Sequence, residues 1–164
     1  MLYRTSLSSP VGVLTLYSDG TSITAITMLV WRHQPQETGM ESPDLPVFQT
    51  AKRWLENYFT GIVPEEFPPL FPAGTPFQKQ IWQILQSIPQ GSAVTYGEIA
   101  RRLEELTGKR TSPRAVGNAV GRNPIAILIP CHRVLGADHR LTGFGGGLEA
   151  KRFLLELEGI PYRD

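Results

Sequence analysis

The 164-residue sequence holds one cysteine, Cys131, so no disulfide can close within the chain. Histidine is nearly as scarce, and His33, His132 and His139 have no zinc-site spacing, so a metal site is not expected. No apolar run approaches the length of a bilayer span. The first residues, MLYRTSLSSPVG, lack the basic start, apolar stretch and cleavage site of a secretory signal. A cytosolic protein without membrane attachment is expected. The net charge of +1 conceals an uneven distribution. Residues 1–75 carry 4 basic and 7 acidic side chains (net −3), residues 76–140 carry 9 and 4 (net +5), and residues 141–164 carry 3 and 4 (net −1). Attraction to nucleic acid depends on where charge sits, and the basic excess surrounds the cysteine. An ordinary uneven surface is the competing explanation.

The apolar pattern divides the chain into an N-terminal half with strands and a C-terminal half of helices. VGVLTLYS alternates apolar and polar residues, SITAITMLVW is rich in β-branched residues, and SDGTS with Gly20 supplies the turn between them. RHQPQETGMESPDLP has a loop's composition. A helix is expected from Asp44 to Phe59, with Phe48, Ala51, Leu55 and Tyr58/Phe59 on its buried stripe. The proline-rich stretch VPEEFPPLFPAGTP cannot continue a helix and marks a boundary, giving domains over 1–70 and 76–164. No repeat or low-complexity tract is present.

Past that boundary the helix signals are specific. Thr75 is an N-cap, Pro76 suits the first helical position and Gln78 can close a capping box, with Phe77, Ile81, Ile84/Leu85 and Ile88 facing inward. TYGEIARRLEELTG repeats the device with Thr95 and Glu98; Ile99, Leu103 and Leu106 are its expected buried face and Gly108 its stop. SPRAVGNAVGR starts a third helix, capped by Ser112 with Pro113 first. The last two resemble a helix-turn-helix with a long link. The third helix is almost wholly Ala, Val, Gly and Asn, and each interior glycine costs about 1 kcal/mol relative to alanine. Such a helix is either tightly packed or made to approach a partner closely.

Cys131 lies in NPIAILIPCHR, read as an apolar strand that breaks at Pro130. A lone cysteine is more often a small apolar core residue than a nucleophile. A shielded thiol followed by His132 and Arg133 nevertheless favours the reactive thiolate. A nucleophile needs a base, and the base an orienting group. His132 is the base at hand, and Glu156 or Glu158 in FLLELEG could orient it. LTGFGGGLEAK places three glycines after Phe144, a loop suited either to backbone contact with a ligand or to simple flexibility.

The stretches SPVGVLTL, YFTG, GTPFQKQIWQIL, IPQGSAVTYGEIA, RAVGNAVGRNPIAILIPCHRV, LTGFGGG and LLELEG together resemble the O6-alkylguanine-DNA alkyltransferase family, over nearly the whole chain. The resemblance implies an α+β fold: an N-terminal β-sheet and helix subdomain, then a mostly helical C-terminal subdomain with a winged-helix-like helix-turn-helix. By position it makes Cys131 the alkyl acceptor, His132 its base acting through a water, and Glu158 the carboxylate of the relay. Asn123 becomes the residue tying the recognition helix to the active-site segment, Arg114 the finger that replaces a flipped nucleotide, and Tyr96 the tyrosine that turns the nucleotide out and hydrogen-bonds the lesion base. Ser112, Ala115, Gly117 and Asn118 join Arg114 on the DNA-binding helix. Val134, Phe144, Gly145 and Gly146 join Tyr96 around the lesion. Phe144 and Gly145 replace the tyrosine and serine of other members, and about four extra residues lengthen the link between Tyr96 and Arg114.

The implied activity is direct repair of duplex DNA: the base is flipped out, its alkyl group moves from O6 of guanine, and by extension from O4 of thymine, to Cys131. One turnover per molecule, no cofactor, no obligate protein partner and a monomer are expected. A non-catalytic lesion sensor is the main rival, and it has no use for Cys131. A thiol hydrolase has no use for an arginine finger, and a transcription regulator would need a further domain.

Overall fold

The computed structural model describes residues 1–31, 34–35 and 38–164; Arg32, His33, Gln36 and Glu37, inside the expected loop, lie outside the described residues. The chain forms two compact units, one of Met1–Ala73 with Pro124–Ala126 and the other of Gly74–Asn123 with Ile127–Asp164.

In the first unit, strands β1 (Tyr3–Ser9), β2 (Gly12–Ser18) and β3 (Ile23–Met28) pair antiparallel in sequence, and β4 (Met40–Glu41) adds parallel to β1, giving the order β3-β2-β1-β4. The SDGTS turn forms as its residues dictate: Gly20 takes φ 114, and Asp19 Oδ1 accepts the backbone N–H groups of Thr21 and Ser22. The two-residue β4 falls inside the segment read as loop; backbone pairing of Met40 and Ser42 with Leu2 and Arg4 makes it, without any side-chain pattern. Leu14, Leu16, Ile23 and Ile26 of the sheet are fully buried, as are Phe48, Ala51, Leu55 and Tyr58 of α1 (Pro46–Phe59). The helix starts at Pro46 rather than Asp44. Leu45 precedes a proline, which excludes it from helical backbone, and it sits at ψ 129. The outer edge of β3 is covered by main chain from two later segments. Ile23 donates to the Pro69 carbonyl and accepts from Phe71, while Ile26 donates to the Pro124 carbonyl and accepts from Ala126.

In the second unit, α2 (Pro76–Gln86) carries the full capping box of Thr75 and Gln78. Its buried face includes Trp82, whose indole N–H donates to the Ala119 carbonyl of α4 (Pro113–Gly121) at 2.9 Å. Between them, β5 (Val94–Thr95) leads directly into α3 (Tyr96–Thr107), capped by Thr95 and ended by Gly108 at φ 72. The Glu98 carboxylate takes the Thr95 hydroxyl and leaves the Thr95 backbone alone, so this box is half made. Leu106 is 74% exposed, contrary to the periodicity, because α3 runs a turn past the surface its neighbours cover; Ala100 joins Ile99 and Leu103 inside. Ser112 caps α4 as expected, accepting from the Ala115 N–H. The short β6 (Val134–Leu135) pairs parallel with β5, and α5 (Leu148–Leu157) closes the unit.

The expected strand through NPIAILIP does not form. Only Ile125 makes a bridge, to Ile26, and Ile127 then turns the chain at φ 70, a rare conformation for a β-branched residue. The segment is apolar because one part of it is core of the first unit and the next part is core of the second. It carries no period-two pleat.

Candidate active site

Pro130 ends the turned segment, and Cys131, His132 and Arg133 form a single 3-10 turn, buried at 6%, 0% and 6% exposure. At three residues per turn, successive side chains leave the backbone about 120° apart. Thiol, imidazole and guanidinium therefore point in three directions from one short piece of chain, an arrangement a strand could not give.

The imidazole and guanidinium converge on one carboxylate. Glu158 Oε2 lies 2.6 Å from His132 Nε2, while Arg133 donates through Nε to Oε1 at 2.7 Å and through its second amino group to Oε2 at 3.3 Å. The backbone N–H of Gly91 donates to Oε1 at 3.0 Å. Four donors meet the four lone-pair sites of the carboxylate and fix its plane. Gly91 holds φ 87, the left-handed geometry that aims its N–H this way. Glu158 caps the C-terminus of α5, where the helix dipole disfavours a negative charge. Burial also disfavours that charge, yet His132 and Arg133 outweigh both and hold the carboxyl well below its usual range. Burial likewise pushes His132 down, against the pull of Glu158, so the ring is neutral near pH 7. With the Nε2 proton given to Glu158, the basic lone pair of a neutral imidazole is on Nδ1. Glu156, the alternative carboxylate, is exposed and accepts from the Tyr162 hydroxyl at 2.9 Å, outside this network.

The thiol differs from its expected state. Burial pushes Cys131 up to about 11, only partly opposed by a hydrogen bond from Asn123 and the charge of Lys151, so at rest it is a thiol and not a thiolate. The sequence suggested Arg133 as the nearby positive charge, but Arg133 is committed to Glu158. The relevant cation is Lys151, fully buried, donating to the Val134 carbonyl at 2.6 Å and to Thr142 Oγ1 at 3.4 Å. Burial lowers it to about 8. Asn123 Nδ2 donates to the Ile129 carbonyl at 2.8 Å, joining the end of α4 to the backbone just before Cys131.

The half-buried Tyr96 opens α3, with its hydroxyl 3.2 Å from Thr142 Oγ1. Val134 is fully buried beside the turn, and Phe144, Gly145 and Gly146 are half-buried, with the Gly147 N–H closing a turn onto the Phe144 carbonyl at 3.0 Å. Arg114 and Asn118 belong to an exposed face of α4, together with Ser112 and the half-buried Ala115 and Gly117, and are not members of the buried network. A methyl group added at Gly117 would meet the Tyr96 ring at an ordinary 3.7 Å, and one at Gly121 would meet nothing. Packing within the unit therefore demands neither glycine.

Four residues of the network escaped the sequence reading in these roles: Gly91, Arg133 as partner of Glu158, Thr142 and Lys151. Lys151 had a legible signal. It shares the face of α5 with Leu154, Leu155 and Glu158 at the i, i+3, i+4, i+7 spacing, so a charged residue stands on a buried stripe.

Residues 2–70 match the family described as 6-O-methylguanine DNA methyltransferase, ribonuclease-like domain, and residues 76–160 match its DNA binding domain. A methylated-DNA--protein-cysteine methyltransferase of Haemophilus influenzae is 53% identical over 165 residues, covering 99% of this chain and 89% of that one. The crystal structure of the Mycobacterium tuberculosis O6-methylguanine methyltransferase superimposes with a TM-score of 0.85 at 43% identity, over 96% of this chain and 93% of that one. A Mycobacterium tuberculosis OGT in complex with DNA gives 0.86 at 42% identity, over 95% and 92%.

Proposed function

The chain belongs to the 6-O-methylguanine DNA methyltransferase family, and from that premise we propose that it repairs duplex DNA by moving the alkyl group of an O6-alkylguanine irreversibly onto Cys131. The observation that carries this reading is the buried cysteine beside a neutral histidine whose orientation a saturated carboxylate fixes. A thiol pushed up to about 11 is inert at neutral pH until a base takes its proton. His132, through Nδ1 and an intervening water, receives that proton, and Glu158 stabilises the imidazolium that results. The sulfur then attacks the alkyl carbon in line, the carbon–O6 bond breaks, and its electrons leave with guanine. The charge on the departing base is met by the Tyr96 hydroxyl and by backbone amides of the loop at Gly145 and Gly146. A thioether has no leaving group for water, so each molecule reacts once and needs no cofactor.

A guanine inside a duplex is out of reach of a buried sulfur and must be flipped, at a cost of roughly a few kcal/mol. Arg114 fills the vacated space in the stack. Ser112, Ala115, Gly117 and Asn118 let α4 lie close in the groove, consistent with glycines that packing does not require. Asn123 links this helix to the Cys131 turn. The protein acts as a monomer in the cytoplasm, with damaged DNA as its partner; no helix among the described residues is long and apolar enough to cross a membrane.

The test is mass spectrometry after mixing with one equivalent of duplex containing a single O6-methylguanine. One methyl group on the Cys131 peptide, stopping at one equivalent and absent in Cys131→Ala, is the expected result. Tight lesion binding without that adduct would make the protein a sensor.

A further inference from the structure

The Thr142 hydroxyl joins two polar side chains from different helices, Tyr96 of α3 and Lys151 of α5. Its Oγ1 lies 3.2 Å from the Tyr96 hydroxyl and 3.4 Å from Lys151 Nζ, and both of these groups feel the negative charge that Cys131 acquires when it loses its proton. One of these two bonds has a fixed direction, and in the other either hydroxyl can donate. An ammonium has protons and no acceptor, so Lys151 donates to Thr142 Oγ1. Lys151 is also anchored from behind by the Val134 carbonyl at 2.6 Å, which fixes where its remaining protons point. Thr142, having accepted from Lys151, keeps its own proton, and of the two directions open to it the proposal takes donation to the phenol oxygen. That oxygen, having accepted, directs its O–H away from Thr142.

The site around Thr142 is built for one rotamer. A Cβ at Gly136 would stand 2.7 Å from Thr142 Cγ2, so glycine there makes room for the threonine methyl. The Gly136 N–H and Arg140 carbonyl close the intervening loop at 2.9 Å. With its methyl seated, a β-branched side chain has little torsional freedom left, and its hydroxyl stays between Lys151 and Tyr96.

We propose that Thr142 is a positioning residue for the transfer: by donating to the Tyr96 oxygen it commits the Tyr96 hydroxyl to donate outward, to the base that leaves. The proposal rests on the alkyl-transfer reading above. It assigns to this loop position a hydroxyl function that Gly145 cannot supply, and the chain polarises along Lys151, Thr142 and Tyr96 so that each bond strengthens the next.

The experiment is single-turnover methyl transfer from O6-methylguanine duplex for wild type, Thr142→Val, Thr142→Ser and Tyr96→Phe, and for Tyr96→Phe combined with Thr142→Val. Thermal unfolding establishes that each is folded, and Thr142→Ala replaces Thr142→Val if the latter is not. Alkylation of the same proteins by iodoacetamide, which has no guanine to expel, is measured in parallel. The expected result is transfer slowed about tenfold in Thr142→Val, restored in Thr142→Ser, with no further slowing when Tyr96 is already phenylalanine, and iodoacetamide rates unchanged. Wild-type speed in Thr142→Val, additive losses in the double variant, or equal slowing with iodoacetamide would each overturn it. If wild type itself gains no methyl on Cys131, the alkyl-transfer reading fails instead, and the two failures are read from different samples.

Discussion

The Nε2 of His132 stands 2.6 Å from Oε2 of Glu158, both side chains wholly without solvent exposure, and the carboxylate is shared with Arg133. One acidic group thus orients the imidazole and neutralises the buried guanidinium. Replacing Glu158 by glutamine breaks both functions at once. The expected outcome is transfer slowed about 100-fold together with a loss of roughly 3–5 kcal/mol of stability, because Arg133 is left buried without its counter-charge. Quench-flow kinetics on the folded protein and denaturant titration measure the two effects separately.

The same cluster predicts how stability responds to acid. Glu158 is lowered on folding from 4.5 to about 2, so its contribution is complete above pH 4.5 and is lost as pH falls from there toward 2. His132 is also lowered, from 6.5, so the unfolded state binds protons first and stability starts to fall below pH 6.5. Urea titrations across this range should show the decline, and Glu158→Gln should lack its lower part.

At the alkaline end two neighbours oppose one another. Lys151 falls from 10.5 to about 8 on folding, so the unfolded state holds the extra proton above pH 8 and stability rises with pH. Cys131 rises from 9 to about 11, so above pH 9 the folded state holds the extra proton and its contribution has the opposite slope. Between pH 8 and 9 the lysine acts alone. Wild type should gain stability across that interval and Lys151→Met should not, as read by urea titration at fixed ionic strength.

The raised thiol has a kinetic counterpart. The rate of Cys131 alkylation by iodoacetamide should climb tenfold per pH unit from 7 through 9 and show no plateau at the ordinary thiol value of 9. A plateau near pH 6 or 7 would mean a resting thiolate and would remove the need for His132 as base.

Substitution at Gly117 tests folding and the proposed DNA contact separately. With only an ordinary contact awaiting a methyl group there, Gly117→Ala should stabilise the protein by about 0.5–1 kcal/mol through helix propensity. Affinity for duplex should fall in the same variant, by filter binding or anisotropy. Arg114→Ala should slow transfer from duplex by roughly 100-fold, the flipping cost being a few kcal/mol, and leave transfer from the free base O6-benzylguanine unchanged.

Helix ends were the most legible part of the sequence, since Thr75, Thr95, Ser112 and Gly108 act within one turn of where they stand. The apolar run before Cys131 misled, because burial in two different cores and burial in one pleated strand leave the same composition at positions 123–129. Cys131 and His132 stand out by residue type and adjacency, whereas Glu158 is singled out by the resemblance. Spacing alone could not choose between Glu156 and Glu158, a choice that depends on where the end of α5 meets Arg133. Thr142 and Gly91 were invisible for a related reason: each acts through an atom, a hydroxyl or a backbone N–H, whose partner is distant in sequence.

The backbone pairing of Ile26 with Pro124 and Ala126 also sets a schedule for synthesis. A ribosome delivers β1, β2, β3 and α1 first, and Pro69 and Phe71 can cover the edge of β3 at Ile23, but the edge at Ile26 waits for a segment that emerges only after α2, α3 and α4 have been made. Until then the nascent sheet offers unpaired amides and carbonyls to any passing strand. The part of the chain translated first is therefore among the last to be finished, and a stall anywhere before residue 124 leaves it adhesive.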